Sequence, residues 1–188
     1  MVELTLDRIV SLAGDWTDNS RASTQFREII EDEQTTTDEI DAYLTEAIDG
    51  SDRYHNRALQ DLVNNIGRRL GFQVEYGVYK GRNDTIGYDG HWTSTATDQA
   101  THLVVETKTT TTYSIDPTQA GQYMDELAAQ SEIDRPQIYG LYVIGKGDIE
   151  TVAKTVLGSQ YRDRMRVITA RQLLNLLEIQ ADSGLRHD

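Results

Sequence analysis

A change of hydrophobic period at Gly71 constrains the fold of this chain more than any other feature. Before it, apolar residues recur at helical spacing from Ala58 to Leu70. After it, apolar and polar residues alternate from Phe72 to Val78, a pattern typical of a strand. The sequence therefore predicts a long helix that leads directly into a sheet.

The rest of the chain extends this pattern. Further strands are predicted at 86–92, 103–108, 138–144 and 167–168, and further helices follow the caps at Asp116 and Thr169 and cover 149–157. Three strands in succession favour an antiparallel meander, whereas the later alternation of helix and strand favours parallel additions. The predicted fold class is α/β, with a mixed central sheet flanked by helices.

The first 50 residues differ from the rest in charge. They read as short helices, the clearest between the capping box at Thr36 and Gly50. They hold 13 acidic residues and three arginines, a net charge of −10, whereas residues 51–188 carry only −3. We therefore predict an acidic helical extension over residues 1–50 and a second unit over residues 51–188.

Composition excludes several classes of protein. A chain of 188 residues without cysteine has no disulfides and no thiolate metal site. The lack of a long apolar stretch and of a signal pattern predicts a cytoplasmic protein with no membrane partner. A net charge of −13 argues against simple polycation binding to phosphates.

The same composition bears on the environment of the protein. Four lysines against 14 arginines, with 19 aspartates and 21 threonines, resemble the composition of proteins from salt-loving archaea. A dense carboxylate surface stays hydrated at molar salt, where charge repulsion is screened. The alternative is an ordinary acidic protein with an arm that binds a partner.

Three charged residues near the end of the predicted meander carry the chemical signal. Asp89 lies inside the predicted second strand, and Glu106 and Lys108 end the third. Residues two apart on a strand point to the same face, and a hairpin would let Asp89 face that side too. Carboxylates suit Mg²⁺ or Mn²⁺, and an ammonium stabilises charge that develops on a phosphate.

These residues give the chain a resemblance to a known family. Asp89, Glu106 and Lys108 resemble the motif of the PD-(D/E)-x-K nuclease superfamily, although Tyr88 replaces the motif's proline. Gln119 and Tyr123 resemble the Q-x-x-x-Y signature of its RecB-like branch. The resemblance covers about residues 54–180 and implies a restriction-endonuclease-like sheet in residues 51–188.

The resemblance implies a divalent-metal-dependent nuclease that hydrolyses phosphodiester bonds in DNA. Asp89 and Glu106 would hold Mg²⁺ or Mn²⁺, with the carbonyl of Thr107 as a further ligand. Lys108 would stabilise the transition state or activate water. The remaining site candidates would support the substrate or the metal; they are Gln119, Tyr123 and Gln60, with Asp61, Asn56 and His55 as alternatives to Gln60.

Several alternatives stay open at this stage. One alternative is a nuclease-fold binding module that docks a protein partner through residues 1–50. Another is a nuclease that acts on RNA. Cutting that is specific for duplex DNA would call for a homodimer, which carries two active sites. Gln119, Tyr123 and Gln60 also suit ordinary structural roles. Trp92 is predicted to be a core or loop residue, and the four histidines are predicted to be surface or turn residues. Contacts to DNA would come from arginines, namely Arg53, Arg57, Arg68, Arg69, Arg82, Arg162, Arg164 and Arg166.

Overall fold

The computed structural model describes residues 5–80, 85–94, 99–110 and 115–184. Its helices are α1 (Leu6–Ala13), α2 (Arg21–Glu31), α3 (Thr37–Asp49), α4 (Arg53–Arg69), α5 (Pro117–Ser131), α6 (Ile149–Leu157) and α7 (Ala170–Ser183). Its strands are β1 (Gln73–Tyr76), β2 (Gly90–Ser94), β3 (Thr101–Thr110), β4 (Ile138–Lys146) and β5 (Met165–Thr169). The predicted order of helices and strands is confirmed.

The five strands form one mixed sheet in the order β1-β2-β3-β4-β5. The first three strands are antiparallel neighbours, with Gly90 opposite Val105. The last three are parallel, with Glu106 opposite Tyr142. The predicted meander followed by parallel additions is confirmed, and β3 occupies the centre of the sheet.

Helices cover both faces of the sheet. On one face, α4 and α7 pack on the strands, and buried residues such as Leu62 and Val105 belong to a single cluster. On the other face, α5 and α6 cover a second cluster that includes Val104 and Met124. Since successive residues of a strand face opposite sides, β3 supplies side chains to both layers.

Local signals define the helix ends well. Asp116 caps α5 through a hydrogen bond to the Thr118 N–H at 2.9 Å, with proline at the first helical position. Thr36 and Thr169 each form a capping box, at the start of α3 and of α7. Gly71 takes a φ of +101°, so a glycine suits the turn from α4 into β1.

Two predicted strand boundaries are wrong. Asp89 does not lie inside β2, because the regular ladder begins only at Gly90. Glu106 and Lys108 do not end β3, because parallel pairing with β4 continues as far as Thr110. Arg82, one of the arginines predicted to contact DNA, lies outside the described residues.

Helices α2 and α3 of the acidic N-terminal segment pack directly on α4. Trp16, Phe26 and Ile30 are fully buried, in the same cluster as Leu59 and Leu62. The division into residues 1–50 and 51–188 stays a prediction. None of the described helices is long and apolar enough to span a membrane.

Candidate active site

Asp89 is attached to the central strand by both its backbone and its side chain. Its N–H donates to the Val105 carbonyl at 3.0 Å, and its Oδ2 accepts from the Thr107 N–H at 2.6 Å. The carboxylate of Asp89, the residue just before β2, thus bonds to β3 two residues past Val105, which lies opposite the first residue of β2. These two bonds fix the side chain beside residues 105–107.

Helix α4 and the end of β1 hold the carbonyl of Asp89. This oxygen accepts from Gln60 Nε2 at 3.1 Å, from Asn64 Nδ2 at 2.9 Å and from the Gly77 N–H at 3.0 Å. Gly90 follows, where a Cβ atom would lie 2.0 Å from Asn64 Oδ1. Only glycine therefore lets α4 approach this closely.

Glu106 and Lys108 share one face of β3, as the sequence predicts. Glu106 is only 5% exposed, and its Oε2 accepts from Lys108 Nζ at 3.0 Å. The other carboxylate oxygen, Oε1, is buried and has no hydrogen-bond partner among the described residues. A buried carboxylate oxygen without a partner is costly unless another group binds it.

The three charged groups influence one another. Burial raises the pKa of Asp89, against the opposing effect of Lys108. Burial and the Asp89 carboxylate raise the pKa of Glu106 to about 7. Burial alone would lower the pKa of Lys108, but Glu106 and Asp89 raise it above the ordinary value. The sheet therefore brings Asp89, Glu106 and Lys108 into one electrostatic cluster.

The donors of this cluster fit a hard divalent cation. Within the part of the chain that the structure describes, no group of three or more histidines and carboxylates could hold a metal. Asp89 and Glu106 offer two carboxylates, and Glu106 Oε1 is an unsatisfied oxygen. Mg²⁺ commonly takes one or two carboxylates and keeps several waters, so this small donor set suits it.

A cleft of about 320 Å³ opens beside Asp89 on the α4 side. Positive side chains of α4 and β3 line it, namely Arg53, Arg57 and Lys108. Asn56 and Tyr79 line the same cleft, and Asn56 accepts a hydrogen bond from Thr109 at 2.5 Å. A cleft with three cationic side chains beside the Asp89 carboxylate suits an anionic substrate.

Gln119 and Tyr123 lie on α5, which covers the opposite face of the sheet. Gln119 Nε2 donates to Tyr123 Oη at 2.9 Å. Burial, and then the Glu106 carboxylate, raises the pKa of Tyr123. Its hydroxyl would lie 2.7 Å from a Cβ at Gly87, two residues before Asp89. The structure therefore places this pair beside the charged cluster.

The candidate site residues on α4, the helix before β1, differ in whether they contact Asp89. Gln60 is buried and contacts Asp89 directly. Asp61 is also buried, but it pairs with Arg27 at 2.9 Å and accepts from a tyrosine, so it does not line the cleft. His55 is held between the carboxylates of Asp52 and Asp7. Of these residues, only Gln60 touches Asp89 through the bonds described.

Sequence reasoning missed Asn64. Besides Asp89, it bonds the buried Trp92, whose indole Nε1 donates to Asn64 Oδ1 at 2.8 Å. Gln60 and Asn64 are polar residues four apart that share one face of α4, and this spacing was the available signal. Trp92 is a core residue, as expected.

The expectation that the histidines are surface or turn residues is wrong for two of them. His55 and His91 are buried, and the His91 ring stacks on His102 with centroids 5.3 Å apart. The stacking follows from the register of β2 and β3, in which His102 pairs with Thr93, two residues after His91 and therefore on the same face of β2. His187 lies outside the described residues.

The predicted DNA-contacting arginines fall into separate groups. Arg53 and Arg57 line the cleft. Arg68 and Arg69 lie at the other end of α4, where Arg68 pairs with Glu31. The remaining three lie at or just before the start of β5, away from Lys108 along the parallel strands; they are Arg162, Arg164 and Arg166.

No protein-family model matches the chain, and no curated protein matches it significantly. Among solved structures, it is similar to the restriction endonuclease FokI, with a TM-score of 0.56 and 16% identity over 89% of this chain and 32% of FokI. FokI bound to DNA gives a TM-score of 0.53 and 14% identity, over 89% of this chain and 31% of that one. The chain thus spans about a third of the length of FokI. At such identities the likeness concerns the fold, and the fold of this chain is α/β and restriction-endonuclease-like.

Proposed function

We propose that this protein is a divalent-metal-dependent nuclease that hydrolyses phosphodiester bonds in DNA. One observation carries the proposal: the backbone of β3 binds the Asp89 carboxylate at Thr107, between the two members of the Glu106–Lys108 ion pair. Two carboxylates and an ammonium thus influence one another electrostatically, and Asp89 and Lys108 of this cluster also line the cationic cleft. The FokI-like fold supports this interpretation.

Mg²⁺ or Mn²⁺ would be held by Asp89 and Glu106, with the Thr107 carbonyl as a further ligand. The unsatisfied Oε1 of Glu106 supports this assignment. When bound, the cation would supply Lewis acidity that activates water and stabilises charge on the phosphate. In return, its charge would favour the ionised form of Glu106.

Lys108 would act on the phosphate from the side of Glu106. Its side chain is 31% exposed and lines the cleft, while its ammonium pairs with the Glu106 carboxylate of the cluster. It would donate to a phosphate oxygen as negative charge develops, or orient the attacking water. Gln60 would position Asp89 through its carbonyl, and Gln119 would orient the Tyr123 hydroxyl toward the site.

Plasmid cleavage tests the proposal. The wild-type protein should nick or cut DNA with Mg²⁺ or Mn²⁺, in high KCl because the composition resembles that of salt-adapted proteins. Asp89→Asn and Lys108→Ala should lose at least 100-fold in rate while their circular dichroism spectra stay unchanged. Asn at position 89 keeps an oxygen for the Thr107 N–H, so its fold should survive. Folded variants that cut as fast as the wild type would refute the proposal.

A binding or assembly module is the second candidate. The net charge of −10 on residues 1–50 favours it, because such a surface suits a basic protein partner. A wild-type protein that captures a partner but cleaves neither DNA nor RNA with either metal would support this candidate. Cleavage assays with DNA and RNA side by side would decide which of the two is the substrate. Light scattering in the presence of DNA would detect a homodimer.

A further inference from the structure

We propose that Arg57 and Tyr79 form a wall of the cleft that binds the DNA strand next to the cleaved phosphate, and that Asp61, paired with Arg27, positions this wall. The inference rests on the proposed function and names the surface that holds its substrate. Its observations come from α2, α4 and the segment after β1. They are independent of the carboxylate cluster.

Arg57 presents a charge that no carboxylate neutralises within the described part of the chain. Its guanidinium donates to the carbonyl of Trp16 and lies over the Tyr79 ring, 5.3 Å from the centroid. It lines the same cleft as Asp89 and Lys108. An arginine held by a carbonyl and an aromatic face keeps its positive charge and its remaining N–H groups for a phosphate.

Tyr79 is held by a buried network that begins in the N-terminal helices. Its hydroxyl donates to Asp61 Oδ2 and accepts from the indole N–H of Trp16 at 3.1 Å. The other Asp61 oxygen accepts from Arg27 Nε at 3.1 Å and Nη2 at 2.9 Å. The ring is therefore fixed on one side, and it supports Arg57 on the other.

The network also explains how an acidic protein keeps a cationic cleft. Asp61 is fully buried, and its charge is directed at Arg27 rather than at the cleft. The backbone N–H of Tyr79 donates to Asp18 at 2.7 Å, so a third residue of the acidic segment, after Trp16 and Arg27, holds the same wall. Residues 1–50 thus supply part of the support for the cleft.

DNA binding measured with Ca²⁺ in place of Mg²⁺ tests the wall. We expect Arg57→Ala to weaken binding of a fluorescent 20-base-pair duplex about tenfold. The slope of log affinity against log KCl should fall by about 0.9, the value for one lost phosphate contact. Arg135→Ala is the matched control, because Arg135 is exposed and precedes β4 at the other end of the sheet. Binding by Arg57→Ala that equals binding by Arg135→Ala would overturn the inference.

Tyr79→Phe separates positioning from a general structural role, because it keeps the ring and removes only the hydroxyl. We expect it to weaken DNA binding about threefold in the wild-type background and not at all in the Arg57→Ala background, since it acts through Arg57. An equal loss in both backgrounds, or none in either, would overturn the positioning role. Circular dichroism checks that each variant is folded.

The proposed nuclease function and the proposed DNA-binding wall can be refuted separately. A wild-type protein that cuts DNA, with Arg57→Ala binding as tightly as Arg135→Ala, overturns this inference and leaves the proposed function standing. A wild-type protein whose DNA binding depends on Arg57, but which cuts nothing with Mg²⁺ or Mn²⁺, overturns the proposed function and leaves the wall standing.

Discussion

Asn64 accepts from the Trp92 indole at 2.8 Å and donates to the Asp89 carbonyl at 2.9 Å, so one amide joins the core to the candidate catalytic loop. The amide is buried in α4, directly against Gly90. The position of the Asp89 carboxylate therefore depends on the packing of this helix as well as on the sheet.

The role of this amide is tested by comparing Asn64→Ala with Gln60→Ala. Asn64→Ala leaves the buried Trp92 N–H without its acceptor, which should cost about 1–3 kcal/mol in the free energy of unfolding. Gln60→Ala leaves the Asp89 carbonyl with two donors, so its cost should be smaller. Urea unfolding and cleavage rates check both expectations. If Gln60→Ala proves more damaging than Asn64→Ala, this account of Asp89 positioning is wrong.

The raised pKa of Glu106 predicts that the wild-type protein and the Glu106→Gln variant differ in stability in a pH-dependent way. Between pH 4.5 and about 7, the folded protein keeps a proton on Glu106 that the unfolded chain releases, so folding loses stability as the pH rises. Glu106→Gln cannot ionise. Without metal, it should be more stable than the wild type above pH 7, by on the order of 3 kcal/mol, and nearly equal to it at pH 4.5.

The free energy of unfolding of both proteins, measured with urea in the presence of a metal chelator at pH 4.5 and pH 8 and at one KCl concentration, gives this difference. Glu33→Gln, a substitution at an exposed position of the acidic segment, controls for net charge. A Glu106→Gln protein that is less stable than the wild type at pH 8 would contradict the predicted cost of ionising Glu106.

Gln119 and Tyr123 are predicted to act as a unit, because the amide of one donates to the hydroxyl of the other. Tyr123→Phe and Gln119→Ala should each slow cleavage about tenfold, and the double variant should be no slower than the worse single variant. Single-turnover rates at saturating DNA measure this coupling. Multiplicative losses would show that the two residues act separately.

Residues 1–50 are tested by removing them. Because Trp16, Phe26 and Ile30 are buried on α4, a chain of residues 51–188 would expose an apolar face of that helix. We expect this fragment to lose its cooperative thermal unfolding transition. A cooperative transition at the wild-type temperature would instead support two independent units.

The sequence predicts best those features that depend on neighbouring residues. The period change at Gly71, the Asp116 cap and the Thr169 cap are all local, and each defines an element boundary in the structure. The pair Glu106 and Lys108 belongs to this group too, because strand alternation alone places both on one face.

Features that depend on tertiary contacts escape such reasoning. The Asp89 carbonyl accepts hydrogen bonds from Gln60 and Asn64, which lie more than 20 positions earlier in the chain. His91 and His102 stack only because of the register between β2 and β3. The spacing of Gln60 and Asn64 indicates a shared helix face but not their partner, and no local pattern predicts the contact between the two histidines.

The central claim is that Asp89 and Glu106 converge on one cation. A crystal grown with Mn²⁺ and measured at the manganese absorption edge tests it most directly. We predict one anomalous peak between the two carboxylates, lost in crystals of Asp89→Asn. Crystals that show no peak there, or manganese bound only at other carboxylates, would contradict the claim.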